Sequence, residues 1–175
     1  MVGEHRGRPR EKPVHIPASP EPLYMPNNPN LLAQVRQHLI SHGEAYQWVT
    51  MGPDSEKIGL AYLPVTNTDI PCSFMFTELK EPCSLVFDVN FAYRISPADR
   101  AEVSMLLLTL NANLPEGQLL IDMESGLVYY RLKYVVADAG ATDDEIRAQI
   151  KHMEDVGISM AHTYPRIIMQ EFPLY

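Results

Sequence analysis

One segment, residues 96–136, constrains the fold most, because a marked helix start, an apolar helix and a β-hairpin pattern follow one another along it. Ser96 is placed to accept a hydrogen bond from the first free amides of a helix, and Pro97 has the fixed φ that suits a first helical position. Asp99 complements the positive end of the helix dipole. These residues predict a helix that is capped at Ser96.

The predicted helix is apolar on two faces. The first has the i, i+3, i+4, i+7 spacing of a buried surface and consists of Val103, Leu106, Leu107 and Leu110. The second is a stripe that consists of Ala101, Met105, Leu108 and Ala112. Since the first face already accounts for contact with the sheet, the stripe needs a different cover. We therefore predict that the stripe is an interface and that the protein is a homodimer, unless the first or the last helix covers it.

The segment after this helix has the alternation of a hairpin. With a two-residue Ser125-Gly126 loop, the apolar face would pair Met123 with Val128, Ile121 with Tyr130, and Leu119 with Leu132. The other face would pair Gln118 with Lys133, Leu120 with Arg131, and Asp122 with Tyr129. One apolar and one mostly polar face predict an α+β protein with an antiparallel sheet that helices pack on one face.

Two further hairpins are predicted before residue 96. The first joins residues 46–50 and 57–63 through a Gly52-Pro53-Asp54 turn, and the second joins residues 72–79 and 83–93 through a Glu81-Pro82 turn. The second turn would align Phe76 with Phe87 and Phe74 with Val89. It predicts a buried row that consists of Phe74, Phe76, Phe87, Val89, Phe91 and Tyr93.

Helices are predicted at both ends of this series of strands. Asn28 is placed to cap the first helix, with Pro29 at its first position. Thr142 and Glu145 have the spacing of a capping box, which predicts the start of the last helix. Pro165 is expected to kink or break that helix, because proline lacks a backbone N–H group.

Composition indicates one globular domain without membrane contact. The chain has 175 residues, of which 46% are hydrophobic and 21% charged. Its apolar runs are far shorter than the roughly 20 residues of a membrane span, and its N-terminus lacks the apolar segment of a secretion signal. We expect a cytoplasmic protein. Cys72 and Cys83 lie too far apart in the predicted hairpin for a disulfide, so they are expected to be small buried thiols.

The first residues differ from the remainder of the chain. Nearly half of the 15 prolines lie in residues 1–29, without any helical or strand period. We predict a disordered or extended arm over residues 1–28 and a single domain over residues 29–175. The apolar Leu23-Tyr24-Met25 triplet at the end of the arm could dock on the domain or on a neighbour.

Charge argues against nucleic acid as a ligand. The formal net charge is -8, and four of the basic residues lie in the predicted arm: Arg6, Arg8, Arg10 and Lys12. The domain is therefore more acidic than the whole chain, and its field repels phosphate backbones.

Motifs for catalysis are absent from the sequence. There is no phosphate-binding glycine loop, GxSxG elbow, CxxC pair or HExxH motif. His38 and His42 have a chelating spacing, but without a third ligand nearby the pattern favours a solvated last turn of a helix. Asp88 and Asp122 are expected on outward strand faces, where they could share a cleft as an acid/base pair but more commonly aid solubility. We predict no catalytic residue, no cofactor and no metal site.

A family resemblance rests on residues 96–136 and on the last helix. The order of elements resembles the fold of type III secretion chaperones. The matching features are Asn111-Ala112-Asn113-Leu114-Pro115, the strand over residues 118–123, the Glu124-Ser125-Gly126 turn, the strand over residues 128–134, and the helix ending near Tyr164-Pro165. They are similar to the YbjN family of bacterial sensory transduction regulators, over about residues 31–169. The resemblance implies an α+β domain, often dimeric, that binds other proteins and has no enzymatic residues to carry over. Six predicted strands instead of the usual five, and the arm, depart from the family pattern.

Two functions follow from these observations. The favoured one is a non-enzymatic, protein-binding or chaperone-like regulatory module, with a protein or peptide partner. The alternative is a small-molecule-binding protein or an enzyme with a pocket between the sheet and the C-terminal helix.

Overall fold

A computed structural model of the chain describes residues 30–51, 57–64, 68, 70–137 and 140–172. Two predictions fall outside these residues and stay predictions. They are the arm over residues 1–28, with its Leu23-Tyr24-Met25 triplet, and the Gly52-Pro53-Asp54 turn.

The described residues form three helices and six strands. The helices are α1 (Leu31–Ser41), α2 (Arg100–Asn111) and α3 (Asp143–Glu171). The strands are β1 (Tyr46–Met51), β2 (Lys57–Tyr62), β3 (Cys72–Lys80), β4 (Cys83–Arg94), β5 (Gln118–Ile121) and β6 (Leu127–Val135). Every strand pair is antiparallel, and the order across the sheet is β1-β2-β3-β4-β6-β5. The predicted α+β class is confirmed.

The core lies on one face of the sheet, which we call the inner face. Phe76 pairs with Phe87 and Phe74 with Val89, so the predicted β3–β4 register is confirmed. All six side chains predicted for this row are buried: Phe74, Phe76, Phe87, Val89, Phe91 and Tyr93. The helices α1 and α3 pack against each other and against this face. Burial of these large aromatic side chains is the main stabilising term of the domain.

The two cysteines lie at opposite ends of the β3–β4 hairpin. Cys72 pairs with Phe91, whereas Cys83 pairs with Lys80 beside the turn. Neither forms a disulfide, as predicted, but only Cys72 is buried: Cys83 is half-buried, so the prediction of two buried thiols is wrong for Cys83.

The start of α2 differs from the prediction. The helix begins at Arg100 with Asp99 in the N-cap position, so the predicted cap at Ser96 is wrong. The Ser96 hydroxyl donates to Asp99 Oδ2 at 2.8 Å, and Asp99 N donates to Ser96 O at 3.1 Å. Because these bonds close a turn over residues 96–99, Ser96 stabilises the approach to the helix instead of its first amides.

The register of the β5–β6 hairpin is also corrected. Ile121 pairs with Val128 and Leu119 with Tyr130, which is a shift of two positions from the predicted pairs. The loop is longer than two residues, because Asp122 Oδ1 accepts hydrogen bonds from the amides that follow it, at 2.8 and 3.4 Å. A shift of two keeps each side chain on its predicted face. Met123 leaves the strand and is 54% exposed.

The other two helices confirm part of their predictions. The cap of α1 is Asn30, whose Oδ1 accepts from Ala33 N at 2.9 Å, so the predicted cap at Asn28 is wrong. The capping box of Thr142 and Glu145 is present at the start of α3. A break at Pro165 is wrong: α3 continues to Glu171, and Ala161, Pro165 and Ile168 are buried along it.

Candidate functional site

An apolar stripe is exposed on α2. It is called the α2 stripe and consists of Ala101, Met105, Leu108 and Ala112. Met105 and Leu108 are 65% and 61% exposed, whereas Val103 and Leu107 on the opposite face are buried. Among the residues that the structure describes, neither α1 nor α3 covers the stripe. Leu106 and Leu110, which were also predicted for the buried face, are only half-buried, so that part of the prediction is confirmed for Val103 and Leu107 alone.

Two side chains hold α2 beside the edge of the sheet. Asn111 Nδ2 donates to Leu119 O at 3.0 Å, and Asn111 Oδ1 accepts from Leu119 N at 2.7 Å. At the other end of α2, Arg100 Nη1 donates to the carbonyl oxygens of Met123 and Glu124 at 2.8 and 2.9 Å. The helix therefore runs antiparallel to β5 and covers the edge of that strand. Asn111 replaces the partner strand that Leu119 lacks.

A second feature is a cavity of about 200 Å³ between the end of α1, the end of β2 and the middle of α3. Glu154 of α3 is one of the residues that line it. His38 Nε2 donates to Glu154 Oε2 at 2.6 Å, and the Tyr62 hydroxyl donates to Glu154 Oε1. The side chains of His38 and Glu154 are 9% and 17% exposed. The interpretation of His38 as a solvated residue is therefore wrong.

The cavity has a negative field. Burial raises the pKa of Tyr62 far above its ordinary value, and the nearby Glu154 and Glu44 carboxylates raise it further. At the rim, Lys151 Nζ donates to Asp155 Oδ2 at 2.8 Å, so the charges of Lys151 and Asp155 balance each other. Tyr62 accordingly stays protonated and acts as a hydrogen-bond donor in this cavity.

The two histidines of α1 do not act as a chelating pair. His38 Nε2 bonds Glu154, and His42 Nδ1 donates to His38 O at 2.9 Å. Their rings contact each other with centroids 4.2 Å apart. In the described part of the chain, no group of three or more His, Cys, Asp or Glu side chains has metal-binding geometry.

The two aspartates considered as an acid/base pair lie apart. Asp88 is 2% exposed and bonds Arg131 through two hydrogen bonds of 2.7 and 2.9 Å. Asp122 lies in the β5–β6 turn, where hydrogen bonds from Ser125 and from turn amides lower its pKa. The expectation that Asp88 is exposed is wrong, because β6 brings Arg131 beside it.

The arrangement of elements agrees with a known family. The YbjN family model, described as "Putative bacterial sensory transduction regulator", matches residues 32–162. The chain belongs to the YbjN family. The matched range runs from α1 into α3, so it includes both the α2 stripe and the cavity of this YbjN family member.

A solved structure shows the same fold. It is named "Crystal structure of YbjN, a putative transcription regulator from E. coli" and superposes with a TM-score of 0.53. The match covers 78% of this chain and 91% of that chain at 15% sequence identity. At this identity, the match shows that the fold is shared and nothing about function. No curated protein matches this YbjN family member. Among its described residues, no helix is both long and apolar enough to cross a membrane.

The residues that line the cavity were not predicted from the sequence. The alternative function named its location, between the sheet and the C-terminal helix, but not its side chains. His38 and Glu154 are separated by 116 positions, and Tyr62 and Glu154 by 92. The available signal was weak: a histidine on α1 and a carboxylate on α3, each next to a buried position of its helix.

Proposed function

We propose that this YbjN family member is a non-catalytic regulatory module that forms a homodimer through the α2 stripe and binds a further protein. The exposed stripe is the observation that supports the dimer. Isolated exposed apolar residues are ordinary in soluble proteins, whereas aligned residues on one face of a fixed helix are typical of an interface.

A symmetric interface uses each side chain twice. In a two-fold dimer, Met105 and Leu108 of one copy meet the same patch of the other copy. Full burial of such a side chain contributes about 1.5–3 kcal/mol before the cost of association. The small Ala101 and Ala112 at the ends of the α2 stripe would let two helices approach closely.

The further partner is proposed to be an extended protein segment that binds along β1. The helix α2 covers the edge of the sheet at β5. The strand at the other edge is β1. Strand addition at a sheet edge supplies main-chain hydrogen bonds to such a segment. Trp48 on β1 is 52% exposed and offers an apolar contact beside this edge. The net charge of -8 favours a neutral or basic segment.

Protein rather than nucleic acid is proposed as the target of regulation. The solved relative is named "a putative transcription regulator", but direct contact with DNA requires a basic surface that releases counterions from phosphates. A chain with a net charge of -8 at pH 7 opposes this contact. Regulation through a bound protein agrees better with the charge.

The decisive experiment for the dimer is Leu108→Asp. Light scattering coupled to size-exclusion chromatography should give a dimer for the unmodified protein and a folded monomer for the variant, because burial of a charge at the interface is costly. Ala148→Asp is the matched control, since it adds the same charge at an exposed position of α3. A monomeric unmodified protein contradicts the proposal. If the unmodified protein is a monomer and Leu108→Asp also unfolds it, the stripe is internal core instead.

A further inference from the structure

The cavity between α1, β2 and α3 has space for a small ligand. Its volume of about 200 Å³ is below the range of about 300–1,000 Å³ that is usual for drug-sized ligands. At roughly 30 Å³ for each water-sized group, about six such groups fill it. The ligand must therefore be an ion or a short organic molecule.

The charged side chains around the cavity favour a cation. They are three carboxylates, one ammonium and two imidazoles, from Glu44, Glu154, Asp155, Lys151, His38 and His42. The Lys151 ammonium is bound to Asp155, and His38 bonds Glu154. Within the described part of the chain, the Glu44 carboxylate has neither a hydrogen bond nor an ion pair. The carbonyl end of α1 adds the negative end of a helix dipole at the same place.

The carboxylate oxygens of the cavity have room to accept further hydrogen bonds, which favours a ligand that donates them. Each Glu154 oxygen accepts one hydrogen bond, from Tyr62 or from His38, and a carboxylate oxygen has room for a second. An alkylammonium has three N–H donors, and the carboxylates of both Glu154 and Glu44 line the cavity. Half-buried Ile158 and Pro64 supply an apolar wall for a short alkyl chain.

We propose that this cavity is a receptor for an alkylammonium group, held by the carboxylates of Glu44 and Glu154 and by an apolar wall at Ile158. The group belongs either to a free small amine or to a lysine side chain of a bound protein. The cavity involves no residue of the α2 stripe, so the inference is independent of the proposed dimer.

The test is a titration of the full-length, isotope-labelled protein with n-butylammonium chloride, followed by amide chemical shifts. Saturable shifts should cluster at the end of α1, the end of β2 and the middle of α3. The uncharged isostere n-butanol should not produce them. Equal shifts with n-butanol, or no saturation, overturn the proposal.

Variants locate the charge that binds the amine. Glu44→Gln should weaken n-butylammonium binding about fivefold, the effect of roughly one surface ion pair. Glu102→Gln is the matched control, because it removes an exposed carboxylate from α2. Glu154→Gln should weaken binding more, but it also alters the bonds to His38 and Tyr62. Equal affinity of Glu44→Gln and Glu102→Gln overturns the proposal even if Glu154→Gln does not fold.

Two further probes identify the source of the amine. Tighter binding of 1,4-diaminobutane than of n-butylammonium assigns a free diamine, whose second ammonium adds attraction to the carboxylates that line the cavity. Tighter binding of the capped peptide Gly-Lys-Gly assigns a lysine side chain. Both results support an alkylammonium receptor.

Discussion

The pair of Asp88 and Arg131 shows how a single residue departs from its strand pattern. Both lie on the outer face of the sheet, opposite each other on β4 and β6. Asp88 is 2% exposed, whereas the Arg131 side chain is 37% exposed and packs its guanidinium 5.2 Å from the Tyr129 ring centroid. The hydrogen bonds to Asp88 raise the pKa of Arg131. Such a buried carboxylate is tolerated because its partner binds it through two bonds.

Removal of the Asp88 charge should destabilise the fold. In Asp88→Asn the amide cannot accept both Arg131 bonds, and a buried polar group is left poorly satisfied. We expect a loss of about 2–3 kcal/mol in the free energy of unfolding, below the usual cost for fully buried pairs because Arg131 can reach water. Urea unfolding of the variant and of the unmodified protein measures this loss. Asp144→Asn is the control, since Asp144 is 95% exposed in its pair with Arg147. Equal losses in both variants contradict this prediction.

A second residue-scale prediction concerns pH and the capping box of α3. The backbone hydrogen bond from Thr142, followed by the bond from its hydroxyl, lowers the pKa of Glu145 below its ordinary value of 4.5. A lowered folded-state pKa gives stability that is fully present above pH 4.5 and is lost as pH falls through the folded-state value. Glu145→Gln lacks this contribution. The difference in unfolding free energy between the two proteins should be constant above pH 5 and shrink at lower pH, roughly over two units. Parallel pH profiles contradict the prediction.

At the scale of elements, the packing of α3 on the sheet depends on one glycine. Gly157 lies on the buried face of α3, as the helical spacing predicts. A Cβ atom there would lie 2.6 Å from Phe87 Cε1 and 3.1 Å from Val89 Cγ2. The absent side chain lets α3 approach β4, which closes the core over the aromatic row.

Gly157→Ala should therefore destabilise the protein although alanine favours helix. The gain in helix propensity is about 1 kcal/mol, whereas overpacking costs about 1–3 kcal/mol. We expect a net loss in the free energy of thermal or urea unfolding. Ser159→Ala, at an exposed position of the same helix, should be neutral or slightly stabilising. A stabilised Gly157→Ala variant would show that α3 can shift without cost.

At the scale of the whole molecule, the α2 stripe and the cavity lie on different elements. The stripe lies on α2 beside β5, and the cavity lies between α1, β2 and α3. No residue of the stripe lines the cavity, so the proposed dimer interface and the proposed ligand site share no side chain. Self-association and ligand binding can be measured separately in the same preparation.

If the proposed dimer is the folded species, its melting temperature should depend on concentration. Tenfold dilution removes about 1.4 kcal/mol per dimer. Divided between two chains, this lowers the melting temperature by about 1–3 °C for a chain of this length. Differential scanning calorimetry over two decades of concentration measures it. Ala148→Asp should retain the dependence and Leu108→Asp should lose it. A melting temperature that stays constant for the unmodified protein contradicts the prediction.

Local sequence determined the elements and the faces they bury. Alternation in β3 and β4, with the Glu81-Pro82 turn between them, was sufficient for the correct register. The helical period of α2 separated its buried face from the stripe, and Thr142 with Glu145 located the start of α3. Each of these predictions depends on residues close in sequence, whose geometry follows from backbone and side-chain periodicity.

Tertiary structure decided which polar groups meet. Two corrected predictions are exceptions, because their bonds are local: Asp122 bonds its own turn and so shifts the β5–β6 register, and Ser96 bonds Asp99 instead of capping α2. The pairs of His38 with Glu154 and of Asp88 with Arg131 join residues 116 and 43 positions apart. Periodicity gives the direction of a side chain from its own element, but a hydrogen-bond partner depends on how distant elements pack. For that reason the buried pairs and the cavity, unlike the core, became visible only in the folded chain.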